Sequence, residues 1–349
     1  MFPRLLSIFL DYKCNFSCEH CSVGSSPKIS MPMPREIMVH GIMEFSKLPE
    51  AKVIGFTGGE ATLSKENLLH GIELISKLNL TSRLVTNGWW AKNRQKARSF
   101  IKELKAAGLN ELNTSYDQFH SPFMGVDPIL NLVEEGLKQG LTVALSVVGS
   151  EESHFNGYKL KELIAERLGC EVKGLPKKFF LIEDRPAPIG SGSNLDVSKM
   201  EANSAIDLGC MEILKTLSLH PNGDLKACCG HTVFYSQDLI LGNILRQKFS
   251  DIVKVSEKNI AYWLIHTLGP AKILEELGVE GKYSHICHAC NVLLNQHREK
   301  FIIYLKDNKS KLFYEKIIMN GSVKSLAKQV IENKEEVKKK VIDNQLHKA

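Results

Sequence analysis

Six short, apolar, β-rich runs alternate with longer amphipathic stretches through the first half of the chain, and this alternation restricts the folds open to it. The runs are Leu5–Tyr12, Lys52–Thr57, Ser82–Thr86, Glu111–Ser115, Thr142–Val148 and Lys178–Ile182. Helical patterns fall between them near residues 34–48, 64–78, 91–107, 127–139 and 157–168. Strand–helix alternation at this spacing implies right-handed crossovers and a parallel sheet. Six units are too few to close an eight-stranded barrel. An α/β fold with an open, partial (β/α)6 barrel is expected, its ligands at the carboxyl ends of the strands.

The first run leads into Cys14, Cys18 and Cys21, a C-x3-C-x2-C spacing. A four-iron four-sulfur cluster normally takes four thiolates. Three, with no fourth in the next hundred residues, leave one iron open to hold a small molecule and pass it an electron. The competing reading is a zinc site completed by His20 or His40. The second run ends in Gly58-Gly59-Glu60. Paired glycines at a strand end leave backbone groups open to a ligand, and Glu60 adds an acceptor suited to an ammonium group.

Taken together, the cysteine run and the Gly-Gly-Glu strand end resemble the radical S-adenosylmethionine (SAM) superfamily, in order and spacing over about the first 195 residues. The resemblance implies a 4Fe-4S cluster on Cys14, Cys18 and Cys21. SAM would chelate the open iron, with its ammonium group held at Gly58, Gly59 and Glu60. It also makes Asn87 a SAM contact, although Asn87-Gly88 is an ordinary turn signal. Ser115 and Asp117 follow the fourth strand and are placed either to bond the ribose hydroxyls of SAM or to cap a helix. The loop Arg185–Gly190 looks like the adenine side, and Trp89-Trp90 form either a stacking surface or an apolar rim.

Beyond a linker-like break at Ser191-Gly192-Ser193-Asn194, a second cysteine set begins: Cys210, Cys228, Cys229, Cys287 and Cys290. The segment Leu217–Ala227 carries an Asn-Gly turn between apolar residues, a hairpin signal. A hairpin with distant cysteine pairs resembles the shortened auxiliary-cluster (Twitch or SPASM-like) domain of peptide-modifying radical SAM proteins, and implies a second 4Fe-4S cluster. A structural zinc knuckle is the competing reading. Read as the end of a strand, Cys228 and Cys229 point to opposite faces, so one ligates and its neighbour faces elsewhere. Cys170 reads as a small apolar packing residue. The expected division is residues 1–195 for the barrel, 196–300 for the auxiliary domain and 301–349 for a helical tail striped by Leu326, Val330, Val337 and Val341.

Finer segments, among them Ser115–Phe123, His220–Gly223 and the Cys228-Cys229 doublet, look like the radical SAM peptide epimerases, which invert L-residues in ribosomally made peptides. That likeness makes Cys210, Cys228, Cys287 and Cys290 the auxiliary ligands and Cys229 the hydrogen donor. It implies hydrogen abstraction from a peptide Cα by the radical cleaved from SAM, followed by return of hydrogen from the opposite face. One departure stands out. The epimerases carry an aspartate four residues after the first auxiliary cysteine, where this chain has Leu214, and Glu212 is the only nearby acid. Two other readings compete: thioether or other crosslink formation on a peptide, and a non-catalytic iron–sulfur or zinc-binding protein.

Charge and composition remove other classes. The net charge of +6 is concentrated in residues 301–349, where 11 Lys outweigh 6 acidic residues, so the body is near neutral and shows no nucleic-acid groove. Met1–Leu10 is too short for a membrane helix. Nine cysteines in clusters fit metal ligation in a reducing cytoplasm better than a disulfide framework. The expected partners are a precursor peptide and an electron donor such as flavodoxin or ferredoxin, with no nucleic acid and no membrane.

Overall fold

The computed structural model describes residues 2–149, 155–196, 206 and 208–319. Six strands form as the alternation predicts: β1 (Leu5–Phe9), β2 (Val53–Thr57), β3 (Thr81–Thr86), β4 (Glu111–Ser115), β5 (Thr142–Val148) and β6 (Phe179–Asp184). The helices between them are α1 (Arg35–Ser46), α2 (Lys65–Lys77), α3 (Arg94–Ala107), α4 (Asp127–Lys138) and α5 (Gly157–Leu168). Local chemistry sets their ends. The Asn93 side chain accepts from the Lys96 amide to start α3, and Asn156 does the same for α5 through Lys159.

β1 to β6 pair in parallel and in sequence order, the partial barrel that was expected. The same sheet continues past β1 into β7 (Thr216–Leu219), β8 (Asp224–Lys226) and β9 (Ile240–Asn243). β7 lies parallel to β1, with Ser7 opposite Ser218. β7 and β8 form the hairpin read from Asn222-Gly223, where Gly223 takes φ +85°.

Several boundaries differ from the sequence reading. β1 stops at Phe9 because Asp11 turns the chain, its Oδ1 accepting from the amides of Lys13 (3.0 Å) and Met31 (2.7 Å). β6 runs two residues further, to Asp184. β8 ends at Lys226, so the Cys228-Cys229 doublet lies in the loop after the strand. Ser191–Asn194 sits inside a 3-10 turn tied to the cysteine loop by Ser191 N–H donating to Cys21 O.

The helices α6 (Phe249–Ser256), α7 (Ile260–Thr267), α8 (Pro270–Glu276) and α9 (Ile286–Asn291) follow the last strand. Residues 1–298 make one compact unit, so residue 195 lies within it. Residues 299–349 cluster separately, and α10 (Arg298–Asp307) opens that part. Its expected stripe of Leu326, Val330, Val337 and Val341 lies outside the described residues. Among the described residues no helix is long and apolar enough to cross a membrane.

Candidate functional site

A cavity of about 340 Å3 opens at the carboxyl ends of the parallel strands, and Cys14, Cys18 and Cys21 all line it. Its floor follows from strand register: Thr57, Ser115, Val148 and Asp184 occupy the face of the sheet that the cavity meets. The cysteine loop is folded tightly. Cys14 N–H donates to Ser26 O, Cys21 N–H to Cys18 O, and Gly24 N–H to Cys21 O. Burial, with neighbouring thiols adding to it, pushes Cys14 up to about 11 and Cys18 up to about 12. All nine cysteines are free thiols. Three thiols lining one cavity are a donor set suited to a thiophilic metal group.

The two histidines of the zinc reading part company. His40 is exposed on α1 and does not line the cavity. His20 lines the cavity beside the three cysteines: its ring stacks on Phe119 at 4.5 Å, its Nδ1 is buried without a hydrogen-bond partner, and burial lowers its pKa to about 4, which keeps it a neutral imidazole.

The Gly-Gly-Glu strand end does two different things. A Cβ at Gly58 would collide with the carbonyl oxygen of Asp11, and one at Gly59 with that of Lys13. The glycines therefore let β2 press directly against the cysteine loop, with Gly59 N–H bonding Asp11 O and Glu60 N–H bonding Lys13 O at 2.8 Å each. Glu60 does not stand open to a ligand as expected. It is 1% exposed and lies off the cavity wall. Its Oε1 accepts from Thr62 N (3.0 Å), Thr62 Oγ1 (2.5 Å) and Thr86 Oγ1 (2.7 Å), and its Oε2 from Asn87 N (2.7 Å). Burial pushes this carboxyl up, and the donated bonds oppose the shift. Asn87 itself lines the cavity beside Cys14.

At the end of β4 the expected pair divides in the same way. Asp117 is fully buried, its Oδ1 accepting from Phe119 N (2.9 Å) and His120 Nδ1 (2.8 Å), its Oδ2 from Val148 N (3.1 Å). Burial works to raise the Asp117 carboxyl, and the His120 bond, the nearby His120 and His20 rings and the Val148 amide together outweigh it and hold the group below its usual range. His120 Nε2 then meets Ser115 Oγ at 3.1 Å, and these two side chains reach the cavity. His120 went unnoticed in the sequence. Its signal was the Asp-x-x-His spacing, which a single turn folds into contact. Arg185, Pro186 and Ala187 line the opposite wall, as the loop reading expected. Trp90 packs edge-on against Phe100 at 4.8 Å, and Trp89 Nε1 donates to Thr62, so the tryptophans act as rim.

The doublet separates two environments. Cys229 lines the cavity, on the same wall as Phe234 and His231. Its thiol bonds Ser7 on β1, and burial, with Glu212 and then Cys287 adding to it, pushes it up to about 12. Cys228 does not line the cavity. It neighbours Cys287 and Cys290, and those thiols and burial raise it well above its usual range. Cys290 in turn neighbours Cys287 and Cys210. The structure thus brings Cys210, Cys228, Cys287 and Cys290 together behind the cavity. Leu214, at the position of the missing acid, is buried, with φ +60°. The Glu212 carboxylate accepts from Thr216 Oγ1.

Comparison with known proteins agrees with both cysteine sets. The radical SAM superfamily pattern matches residues 10–133, and that of SPASM, an iron-sulfur cluster-binding domain, matches residues 210–291. The chain is 26% identical over 308 residues to YydG of Bacillus subtilis (strain 168), named as a peptide biosynthesis protein, covering 84% of this chain and 93% of that one. It is 29% identical over 168 residues to a GTP 3',8-cyclase of Helicobacter pylori (strain HPAG1), covering 44% of this chain and 48% of that one. Among solved structures it is similar to native anSMEcpe with bound AdoMet and Cp18Cys peptide, with 16% identity and a TM-score of 0.48 over 89% of this chain and 98% of that one. The cofactors are those of the two domains, a 4Fe-4S cluster with SAM and a further iron–sulfur cluster.

Proposed function

We propose that this radical SAM enzyme acts on a ribosomally made peptide, inverting an L-residue to its D-form with Cys229 as the hydrogen donor. One observation carries the reading: Cys229 opens on the cavity that Cys14, Cys18 and Cys21 line, while Cys228 turns to the other cysteines. The identity with a protein named for peptide biosynthesis supports a peptide substrate. Nine free thiols suit the cytoplasm, where reducing conditions keep them so. In this reading residues 1–195 form the barrel domain and 196–300 the auxiliary domain.

Cys14, Cys18 and Cys21 would hold the first cluster, leaving one iron for SAM. Cys210, Cys228, Cys287 and Cys290 would fill all four positions of the second, which leaves no vacancy for a substrate thiol and disfavours crosslinking. When bound, the first cluster and SAM supply a carbon-centred radical that removes a hydrogen atom from the peptide Cα. The chain's own residues do the rest. Gly58, Gly59 and Asn87 would present backbone and amide groups to SAM, and Ser115, held by His120, would present its hydroxyl oxygen to the ribose. The apolar wall of Phe9, Phe16 and Phe234 excludes water from the open carbon. The S–H bond of Cys229 then breaks as a new Cα–H bond forms on the opposite face, leaving a thiyl. One electron, drawn from a donor such as flavodoxin or ferredoxin, and one proton restore the thiol.

The test is an anaerobic reaction in D2O with the peptide encoded beside this chain. The expected product carries one deuterium at the inverted Cα and no other mass change, because a thiol exchanges its hydrogen with solvent. Cys229→Ala should keep both clusters and still form 5'-deoxyadenosine, yet yield no inverted residue. Normal inversion by that variant would overturn the assignment, and a product lighter by two hydrogens would mark crosslinking instead.

A further inference from the structure

β6 ends the sheet. It pairs with β5 alone, and among the described residues no strand covers its other edge. Edge strands usually protect their unpaired amides and carbonyls with charges, proline or a covering element. This one reads Phe-Phe-Leu-Ile-Glu-Asp, and Phe180 and Ile182 remain 52% and 49% exposed. An apolar, open edge of that kind is built to be paired.

Register shows where such a pairing leads. Phe180, Ile182 and Asp184 share one face, opposite Ala144, Ser146 and Val148 of β5. Asp184 and Val148 line the cavity that holds Cys229. β6 points at the cavity, and the residues that follow it, Arg185 to Ala187, form its wall.

We propose that the open edge of β6 docks the substrate peptide as an added strand, which leads its reacting residue into the cavity. The proposal rests on the peptide reading above and adds how the peptide is held. Backbone pairing supplies affinity with little demand on sequence, and alternate side chains supply selectivity. The favoured peptide therefore carries apolar residues two apart, placed on Phe180 and Ile182. At about 3.3 Å per residue, the position beside Ile182 lies roughly 7 Å from that beside Asp184. The anchors thus sit within a few residues of the modified one.

The experiment uses full-length, anaerobically reconstituted protein and a phage-displayed library of random peptides. Selection runs in parallel on the parent and on a Phe180→Lys, Ile182→Lys double variant whose iron content and melting temperature match the parent. Peptides enriched on the parent should carry apolar residues at alternate positions. Synthesised, they should slow hydrogen exchange of the Leu181 and Glu183 amides, which face away from β5. They should bind the variant about tenfold more weakly or worse, the loss expected when burial of an apolar side chain is removed. Copies with alternate N-methyl amides should weaken similarly. Equal binding to the variant, indifference to N-methylation, or protection elsewhere in the chain would overturn the proposal. So would Leu181 and Glu183 amides already protected in peptide-free protein that scatters light as a dimer, since a second copy would then occupy the edge. Failure of the epimerase reading is separate: it shows as absent Cα deuterium while binding at β6 persists.

Discussion

A carboxylate whose oxygens already accept several protein donors has little left for a ligand, and both Glu60 and Asp117 are in that position. Their contribution passes through neighbours: Glu60 fixes the backbone of Asn87, and Asp117 fixes the ring of His120. Glu60→Gln places an amide donor against groups that are themselves donors. The expected cost is about 1–3 kcal/mol of stability, visible as a lower melting temperature of the SAM-free protein. A carboxylate that touched only SAM would leave that temperature unchanged, so melting in the absence of SAM separates the two roles. For Asp117→Ala the expectation is weaker SAM binding in calorimetry, because His120 loses the bond that aims Nε2 at Ser115. His120→Ala should reproduce most of that loss, and Ser115→Ala added to it should cost little more, since the two act as one unit.

At the scale of elements, the junction between β2 and the cysteine loop is the most demanding contact around the cavity. Gly59→Ala pushes a methyl group into the Lys13 carbonyl, and the loop carrying Cys14 must move. Reconstituted Gly59→Ala should lose the first cluster and keep the second, halving iron content in a colorimetric assay. The strands and helices around this junction were legible in the sequence because burial imposes a period of two or 3.6 on neighbouring residues. The partners of Glu60 were not, because Thr86 and Asn87 come from the next strand and nothing local announces that they donate to it. The pairing of β7 with β1 was hidden for a similar reason: Ser7 and Ser218 meet only after some two hundred residues of intervening fold. The separation of Cys228 from Cys229 was foreseen from strand pleat, yet it arises in a loop beyond β8.

For the whole molecule, the two cysteine sets predict about eight irons per chain as two four-iron clusters. Replacing Cys14, Cys18 and Cys21 together by Ala should leave about half, and Mössbauer spectra showing zinc-like silence at the second set would contradict this. Both sets belong to one unit and spring from one sheet: Cys14 follows β1, and Cys228 follows β8, two strands away through β7. Neighbouring strands lie about 4.8 Å apart, so hydrogen-bonded backbone fixes the lateral offset between β1 and β8 at roughly 10 Å. Because β8 runs antiparallel to β7, its chain leaves the sheet at the end opposite to Cys14. An electron crossing between the two centres would meet a gap set by a lattice and not by a hinge. Its rate should then be indifferent to solvent viscosity, and thickening the medium with glycerol would slow the arrival of peptide and reductant while leaving the internal transfer untouched.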